Sequence, residues 1–258
     1  DLAAVIVDEA QDMGTQAFML IRALVPSGSN DLFIVGDGHQ RIYGKNKVVL
    51  GQCGIDIRGR SARLKVNYRT TDETRKLAVS ILEGVTVDDL DGEDTQSFYH
   101  SLMHGPSPDI RCFDSMSAQA DFILAAIRDN DLAPEACCVI ARTRKEVNEL
   151  RSALESRQQI CQVLDGRYVA TPEGTLNLAT MHRVKGLEFD AVFLASANKG
   201  LVPLDYVLNS AADAVTQRQR ENEERALVYV SVTRARKLAF IFGYGQMSEW
   251  FSGESHDK

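Results

Sequence analysis

The chain has 258 residues, of which 44% are hydrophobic and 25% are charged, and its formal net charge is -7. This length and composition allow one large or two medium hydrophobic cores and exclude extensive disorder. The sequence has no apolar run of bilayer length and no signal-peptide pattern, so it predicts a cytoplasmic protein without a membrane span. The negative charge does not exclude nucleic acid, because a binding groove needs only a local basic lining.

The chain begins with a strand that ends in an acidic turn. Residues 3–7, "AAVIV", are continuously apolar and rich in β-branched side chains, which predicts a strand of a parallel sheet buried on both faces. Asp8, Glu9, Gln11 and Asp12 follow it directly. Ligands of open α/β sheets bind beyond the carboxyl ends of the strands, so these side chains are candidates for chemistry. A solvated loop is the alternative interpretation.

Strands and helices then alternate along the chain. Residues 15–24 have helical spacing, residues 32–35 form a second buried strand with the turn Gly36-Asp37 at its end, and "RLKVNYRTT" supplies a third. "TDETRKLAVSIL" begins with a Thr/Asp cap and predicts a helix. Residues 83–108 are rich in acids, Gly and Pro, which favours a solvated connection over a calcium loop, or over a zinc site at His100 and His104.

The second half of the chain repeats the alternation. Strands are predicted in "DIRCFDS", "ACCVIA", "QICQVL", "TLNLATMH", "DAVFLASA" and "KLAFIFGYG", and helices in "SAQADFILAAIRDN" and "TRKEVNELRSALESR". Cys137 and Cys138 lie in one of these strands, and no C-x-x-C pair occurs, which indicates reduced, packed thiols. The pattern predicts two α/β units, the first ending near residue 66, with a ligand cleft between them.

Five polar segments occur at strand ends or helix starts in a fixed order: "VIVDEAQD", "FIVGDGHQRIYG", "LKVNYRTT", "LATMHRVKGLEFDAVFLA" and "ERALVYVSVTRARKLAF". Together they resemble motifs II to VI of the superfamily 1 DNA helicases of the UvrD/Rep/PcrA type, from Ala4 to about Gly243. The resemblance implies RecA-like (P-loop NTPase) parallel sheets with flanking helices. Residues 1–66 would be the end of a first domain and residues 67–258 a second one.

The resemblance also implies that part of the ATPase site lies outside this sequence. No Walker A loop, G-x-x-x-x-G-K-[ST], occurs among the 258 residues. We therefore expect an upstream Walker A domain in the same polypeptide, and we expect the present chain to be a fragment that is inactive alone. Only about eight residues, "RYVATPEG", stand where many relatives insert a large accessory domain, so that insertion is nearly absent.

Phosphoryl transfer needs a carboxylate for Mg²⁺, a group that positions or deprotonates water, and cations that neutralise the γ-phosphate. By resemblance Asp8 is the Mg²⁺ ligand and Glu9 the catalytic base. Gln40 would sense the γ-phosphate, with Asp37 organising its turn. The resemblance assigns the remaining ATP contacts as follows: Arg69 and Arg234 as arginine fingers, Tyr68 as the residue that stacks on adenine, and Glu188 as the residue that meets the ribose.

The DNA contacts are also assigned by resemblance. Thr180 and His182 resemble contacts to single-stranded DNA, although a histidine beside an apolar strand is more often a core side chain. Lys185 would contact phosphate or simply start a helix. Motif III departs from the family, because "QRIYGKNKVVL" places Lys45 and Asn46 where relatives have an aromatic residue and an arginine. Phosphate attraction by Lys45 and Lys47, with Arg41, would replace base stacking there.

The resulting prediction is an ATP- and Mg²⁺-dependent DNA helicase or translocase that moves 3′ to 5′ on single-stranded DNA. The alternative is a DNA-binding ATPase module for sensing or nuclease delivery, without strand separation, and its partner would be a nuclease or repair protein. A third interpretation, a nucleotide-binding domain that does not bind DNA, conflicts with the basic motif III loop and with "TMHRVKG".

Overall fold

The computed structural model describes residues 2–40, 48–62, 64, 66–82, 100–166 and 170–251. These residues form two compact units, one from the amino terminus to Leu64 and one that contains the described residues from Val66 onward. The assignment of residues 1–66 and 67–258 to a partial and a whole RecA-like domain stays a prediction. Among the described residues, no helix is both long enough and apolar enough to cross a membrane.

The first unit is built on a pair of parallel strands. β1 (Val5–Val7) pairs with β2 (Leu32–Ile34), and helix α1 (Thr15–Ala23) connects them, so the unit has the β-α-β order that the sequence predicts. Short 3₁₀ turns cover residues 10–12, 38–40 and 50–53. The core consists of seven buried side chains: Val7, Ala10, Phe18, Val48, Leu50, Cys53 and Ile55.

The prediction that the first strand is buried on both faces was wrong for the described residues. Ile6 is 78% exposed and Phe33, its partner across the strand pair, is 64% exposed. Alternate residues of a strand point to opposite faces, and α1 together with residues 48–55 packs on the face of Val5 and Val7. Within the described part of this unit, the opposite face of the strand pair is therefore apolar and open.

The second unit contains a six-stranded parallel sheet. Its strands are β5 (Asp109–Phe113), β6 (Cys137–Ala141), β7 (Cys161–Val163), β8 (Leu176–Thr180), β9 (Phe189–Leu194) and β10 (Ala235–Tyr244). Their order in the sheet is β5-β10-β9-β6-β8-β7, and every neighbouring pair is parallel. The parallel α/β class that the sequence predicts is confirmed. A separate parallel pair joins β3 (Val66–Asn67) to β4 (His100–Ser101).

Helices cover both faces of this sheet. The helices of the second unit are α2 (Asp72–Ile81), α3 (Met116–Asp129), α4 (Arg144–Glu155), α5 (Asp205–Asn209) and α6 (Ala214–Val232). The main hydrophobic core joins α3 and α4 to alternate residues of the strands, for example Val139, Leu178 and Phe193. Helix α6 packs against β9, β10 and α2. All five residues of β6 are buried, as expected for a strand between two helical layers.

The predicted helices at residues 72–81, 116–129 and 144–155 are confirmed, and the side chain of Thr71 caps the first of them as predicted. Three elements differ from the sequence analysis. The predicted helices include neither the short α5 nor α6, which has 19 residues. The short strand β4 lies within the segment that was predicted to be a connection, and most of that segment, residues 83–99, lies outside the described residues.

Candidate functional site

The acidic turn of the first unit follows β1 directly. Asp8 and Glu9 are both exposed, and the amide nitrogen of Glu9 donates a hydrogen bond of 2.8 Å to Oδ1 of Asp8. Glu9 has a φ of 52°, a left-handed conformation that non-glycine residues rarely adopt. Such strain occurs most often at functional sites, because the surrounding structure must hold the residue in place.

A chain of hydrogen bonds joins this turn to the turn after β2. The side-chain amide of Gln11 donates to Oε2 of Glu9, and its Oε1 accepts from the backbone nitrogen of Asp37 at 3.0 Å. The side chain of Gln40 donates to Oδ2 of Asp37 at 3.0 Å, so Asp37 organises its turn as predicted. A Cβ atom on Gly36 would lie 2.8 Å from Oε1 of Gln11, so a larger residue there would displace this hydrogen-bonded amide. The predicted residues Glu9 and Gln40 are thereby linked by hydrogen bonds through Gln11 and Asp37.

This turn has the chemistry that Mg²⁺ prefers. Carboxylate oxygens are its usual protein ligands, and Mg²⁺ is commonly held by one or two carboxylates together with water and substrate phosphates. The exposed carboxylates of Asp8 and Glu9 fit that pattern. Across the described ranges, no group of three or more His, Cys, Asp or Glu side chains forms a ready-made metal cage. The residues fit a metal that is bound jointly with a nucleotide.

In the second unit, the segment after β3 is a tight turn built by Asn67. Its side-chain oxygen accepts hydrogen bonds from the backbone nitrogens of Arg69 at 2.7 Å and Thr70 at 3.4 Å. Tyr68 is 69% exposed, whereas Thr70 is only 1% exposed. The turn therefore presents the ring of Tyr68 and the guanidinium of Arg69 outward and directs Thr70 inward.

The two arginines predicted to be fingers occupy different environments. Nε of Arg69 lies 2.6 Å from Oε1 of Glu188, and these side chains are 50% and 36% exposed. Arg234 is only 2% exposed, and its Nε donates to the carbonyl oxygen of Val230 at 3.0 Å. Its Nη1 donates to the carbonyl oxygen of Leu187 at 3.4 Å. Arg69 is thus accessible to a ligand, whereas Arg234 is held inside the unit by backbone oxygens.

Arg69, Glu188 and Arg234 lie close together at the amino-terminal edge of the six-stranded sheet. Glu188 directly precedes β9 and Arg234 directly precedes β10. The backbone nitrogen of Phe189 donates to the carbonyl oxygen of Arg234 at 3.0 Å, which ties these two strand starts together. The structure therefore brings together three of the residues that the sequence analysis assigned to ATP.

The residues predicted to contact DNA lie elsewhere in the same unit. Thr180 is the last residue of β8, at the carboxyl edge of the sheet, and His182 and Lys185 follow in the connection to β9. All three are partly buried. Burial lowers the pKa of His182 and the positive charge of Arg142 lowers it further, while Glu224 has the opposite effect. His182 is therefore neutral at neutral pH.

The neighbours of His182 form a buried ion pair that sequence reasoning missed. Nε and Nη2 of Arg142 donate to the two carboxylate oxygens of Glu224 at 2.8 and 2.5 Å. The side chains are only 9% and 4% exposed. The backbone nitrogen of Leu204 also donates to Glu224, at 3.1 Å. Arg142 follows the buried strand β6, in the same position as the polar residues after β1 and β8, and that placement was the available signal.

Three predicted residues cannot be compared with the structure. Lys45 and Lys47 of the motif III segment, and Arg41 beside them, lie outside the described residues. The basic lining predicted there stays a prediction.

The sequence analysis places Gln11 only in the acidic turn, and the structure adds that its side chain bridges Glu9 and the Asp37 turn.

Two protein-family profiles match this chain, one in each unit. The profile of the UvrD-like helicase C-terminal domain matches residues 168–244, and that of the UvrD/REP helicase N-terminal domain matches residues 1–47. Both matches are to domains of UvrD/Rep-type helicases. The first match contains Thr180, His182, Glu188 and Arg234, and the second contains the acidic turn and Gln40. The resemblance drawn from the five motifs is confirmed.

Curated proteins that are similar to this chain carry helicase names. A "Probable DNA helicase" of Mycoplasma pneumoniae is 26% identical over 92% of this chain and 42% of its own length. The "ATP-dependent DNA helicase Rep" of Buchnera aphidicola is 37% identical over 36% of this chain and 12% of its own length. The chain thus spans less than half the length of these curated relatives.

A solved structure supports the fold. The C-terminal domain of a "possible DNA helicase" from Lactobacillus plantarum WCFS1 superposes with a TM-score of 0.51 and 19% sequence identity. The alignment covers 74% of this chain and 95% of the other. At this identity the likeness shows a shared fold and nothing further.

Proposed function

We propose that this chain supplies part of the motor of an ATP-dependent DNA helicase or translocase that acts on single-stranded DNA. The observation that carries the proposal is the hydrogen-bonded chain from Glu9 through Gln11 and Asp37 to Gln40, at the carboxyl ends of adjacent parallel strands. Phosphoryl transfer uses a residue that positions or deprotonates the attacking water and polar groups at the γ-phosphate, and this chain of bonds would connect two such residues. The names of the relatives support DNA as the substrate.

In the first unit, Asp8 would hold Mg²⁺, which neutralises phosphate charge when it is bound with the nucleotide. Glu9 would accept a proton from the attacking water. Its left-handed backbone and its contact with Gln11 fix the direction of its carboxylate before any ligand arrives. Gln40 would respond to the γ-phosphate, and the Asp37 turn would carry its movement to Glu9 through Gln11.

In the second unit, Arg69 and Arg234 would stabilise the charge that develops on the γ-phosphate. Arg69 is half exposed and pairs with Glu188, which we assign to the ribose. Binding of a nucleotide would therefore replace this ion pair by two contacts, one from Arg69 to the γ-phosphate and one from Glu188 to the ribose. Tyr68 would stack on adenine, and its exposed ring supports that assignment. Arg234 would either act from its buried position or rotate away from the carbonyl oxygens that now hold it.

Single-stranded DNA would contact Thr180, His182 and Lys185, together with Lys45 and Lys47. His182 is neutral at neutral pH, so we assign it a hydrogen-bonding role and not an electrostatic one. The lysines would supply the salt-dependent attraction to phosphates. Movement in the 3′ to 5′ direction and a cytoplasmic location are parts of the proposal.

The second candidate is a DNA-binding ATPase that senses DNA or delivers a nuclease or repair protein without separating strands. The departure of "QRIYGKNKVVL" from the family pattern favours it, because aromatic stacking on bases would be absent on that side. An unwinding assay on a duplex with a single-stranded tail distinguishes the two candidates.

The proposal is tested by ATP hydrolysis with and without an upstream Walker A segment. The 258 residues contain no such loop, so we expect no hydrolysis above background from them alone. A longer polypeptide that carries the segment should hydrolyse ATP, and single-stranded DNA should stimulate it. In that protein Glu9→Gln should retain nucleotide binding and abolish turnover. Asp8→Asn should also weaken the Mg²⁺-dependent part of binding.

A matched control is available in the same turn. Asp12→Asn removes a third carboxylate to which the proposal gives no role, and its hydrolysis should stay near that of the unchanged protein. DNA-stimulated hydrolysis by the 258 residues alone would contradict the proposed division of the ATPase site. Normal turnover in Glu9→Gln would remove Glu9 from the mechanism.

A further inference from the structure

We propose that Thr70 is a positioning residue that holds the two arginine-bearing segments of the second unit in register. The proposal rests on the proposed role of Arg69 and Arg234 as arginine fingers. The hydroxyl of Thr70 donates a hydrogen bond of 3.1 Å to the carbonyl oxygen of Thr233, a residue 163 positions away in the chain. Thr70 is 1% exposed and Thr233 is 7% exposed, so water does not compete for this bond.

The Thr70–Thr233 hydrogen bond lies next to both arginines. Thr70 directly follows Arg69, and Thr233 directly precedes Arg234. One hydrogen bond, from a side-chain hydroxyl to a backbone carbonyl oxygen, therefore joins the two segments within one residue of each arginine. The turn built by Asn67 directs Arg69 outward and Thr70 inward. The guanidinium of Arg69 is therefore accessible to a ligand, while the hydroxyl of Thr70 bonds to a carbonyl oxygen in the interior.

Both ends of the anchor are themselves fixed. The hydroxyl of Ser101 donates to the carbonyl oxygen of Thr70, which ties the turn to β4. On the other side, the hydroxyl of Thr233 donates to the carbonyl oxygen of Tyr229 at 2.8 Å and thereby closes the last turn of α6. A shift at one arginine-bearing segment would consequently be passed to the other through these hydroxyl-to-carbonyl hydrogen bonds.

The connection before β9 completes the cluster. Glu188 pairs with Arg69, Leu187 accepts from Arg234, and the nitrogen of Phe189 donates to the carbonyl oxygen of Arg234. The Arg69–Glu188 pair is largely exposed, and such pairs are weak and are readily exchanged for a phosphate. The buried Thr70–Thr233 bond keeps the two segments together when that pair opens.

The test is a kinetic comparison in the polypeptide that carries the Walker A segment. Thr70→Val removes the hydroxyl and keeps the shape of the side chain. We expect kcat for ATP hydrolysis to fall about tenfold, with KM for ATP changed less than about twofold, because the arginines act on the transition state. Thr70→Ser, which retains the donor, should restore most of the activity.

Thr74→Val is the matched control. Thr74 is also 1% exposed, but its hydroxyl is bonded to Thr71 within the cap of its own helix. It should leave kcat within about twofold of the unchanged protein. In an Arg69→Ala background, Thr70→Val should add less than about a twofold further decrease, since one of the two segments that it holds in register has then lost its arginine. Should Thr70→Val fail to fold, Thr70→Ala removes the same hydroxyl without adding a methyl group.

The outcomes separate this inference from the function on which it rests. If Arg69→Ala and Arg234→Ala leave hydrolysis unchanged, the proposed function fails. If both lower turnover strongly while Thr70→Val matches Thr74→Val, only the positioning role fails. Full additivity of Thr70→Val with Arg69→Ala, or an effect confined to KM, would also overturn the positioning role and leave Thr70 as an ordinary fold contact.

Discussion

Removal of the Glu224 carboxylate tests the importance of the buried ion pair beside His182. Glu224→Ala deletes two hydrogen bonds to Arg142, of 2.8 and 2.5 Å, and the acceptor for the backbone nitrogen of Leu204. Both side chains of the pair are less than one-tenth exposed, so water cannot fully replace the carboxylate. Arg142 would keep its charge inside the unit without its partner.

The expected destabilisation follows from this burial. Breaking a buried ion pair by removing one partner costs about 3–5 kcal/mol, mainly because the remaining charge stays desolvated. For a unit of this size, each kcal/mol lowers the melting temperature by roughly 2–4 °C. We therefore expect the second unit of Glu224→Ala to melt at least about 6 °C below that of the unchanged chain. The double variant Arg142→Met with Glu224→Leu should recover most of that stability.

Thermal and urea unfolding of the 258-residue chain measure this effect, and an exposed pair provides the control. Arg151 and Glu155 pair at 2.7 Å on the surface of α4, with side chains 48% and 42% exposed. Glu155→Ala should cost no more than about 1 kcal/mol, as is usual for exposed pairs. Equal destabilisation by Glu224→Ala and Glu155→Ala would refute the reasoning, because burial would then have no energetic consequence here.

Two further predictions concern acid stability and DNA. Burial raises the pKa of Asp72, but hydrogen bonds from Lys76, Arg75 and the backbone of Ser101 outweigh it and bring the pKa to about 2, from 3.8. This contribution to stability is present above pH 3.8 and is lost as the pH falls toward 2, so Asp72→Asn should flatten the acid side of the unfolding profile. The chain should also bind a short single-stranded oligonucleotide with an affinity that falls as salt rises. Replacing Lys45 and Lys47 by glutamine should reduce the salt dependence by about one unit of slope for each lysine that neutralises a phosphate, whereas binding that is independent of salt would contradict the basic lining.

Much of the second unit could be predicted because its local signals agree with its packing. The run of apolar residues in β6 is long and uninterrupted, and the strand is buried on both faces. Helix α4 begins at a Thr143 cap and has a clear apolar face, with Val147, Leu150 and Leu154 buried. Where capping, periodicity and burial indicate the same element, the sequence alone is sufficient.

Helix α6 could not be predicted in this way because its two halves give conflicting signals. Its first half is polar, and its second half, "ALVYVSV", is rich in β-branched residues that favour strands. Packing against β9, β10 and α2, together with the buried Glu224, outweighs that local preference. The ion pair of Arg142 was missed for a related reason, since its partner lies 82 positions away and no local spacing connects them.

Not all candidate residues follow the rule that ligands of parallel sheets bind at the carboxyl ends of the strands. Asp8, Asp37, Arg142 and Thr180 obey it, because each ends or follows a strand. Glu188 and Arg234 do not, because each precedes one. β9 has six residues, so at about 3.3 Å per residue its two edges lie roughly 20 Å apart. One small ligand cannot reach both His182 and Arg234 across that distance. In the proposed function, the second unit would contact nucleotide at the amino edge of its sheet and DNA at the carboxyl edge. Residues 181–188, which run from the end of β8 to the start of β9, are then the shortest covalent path between the two.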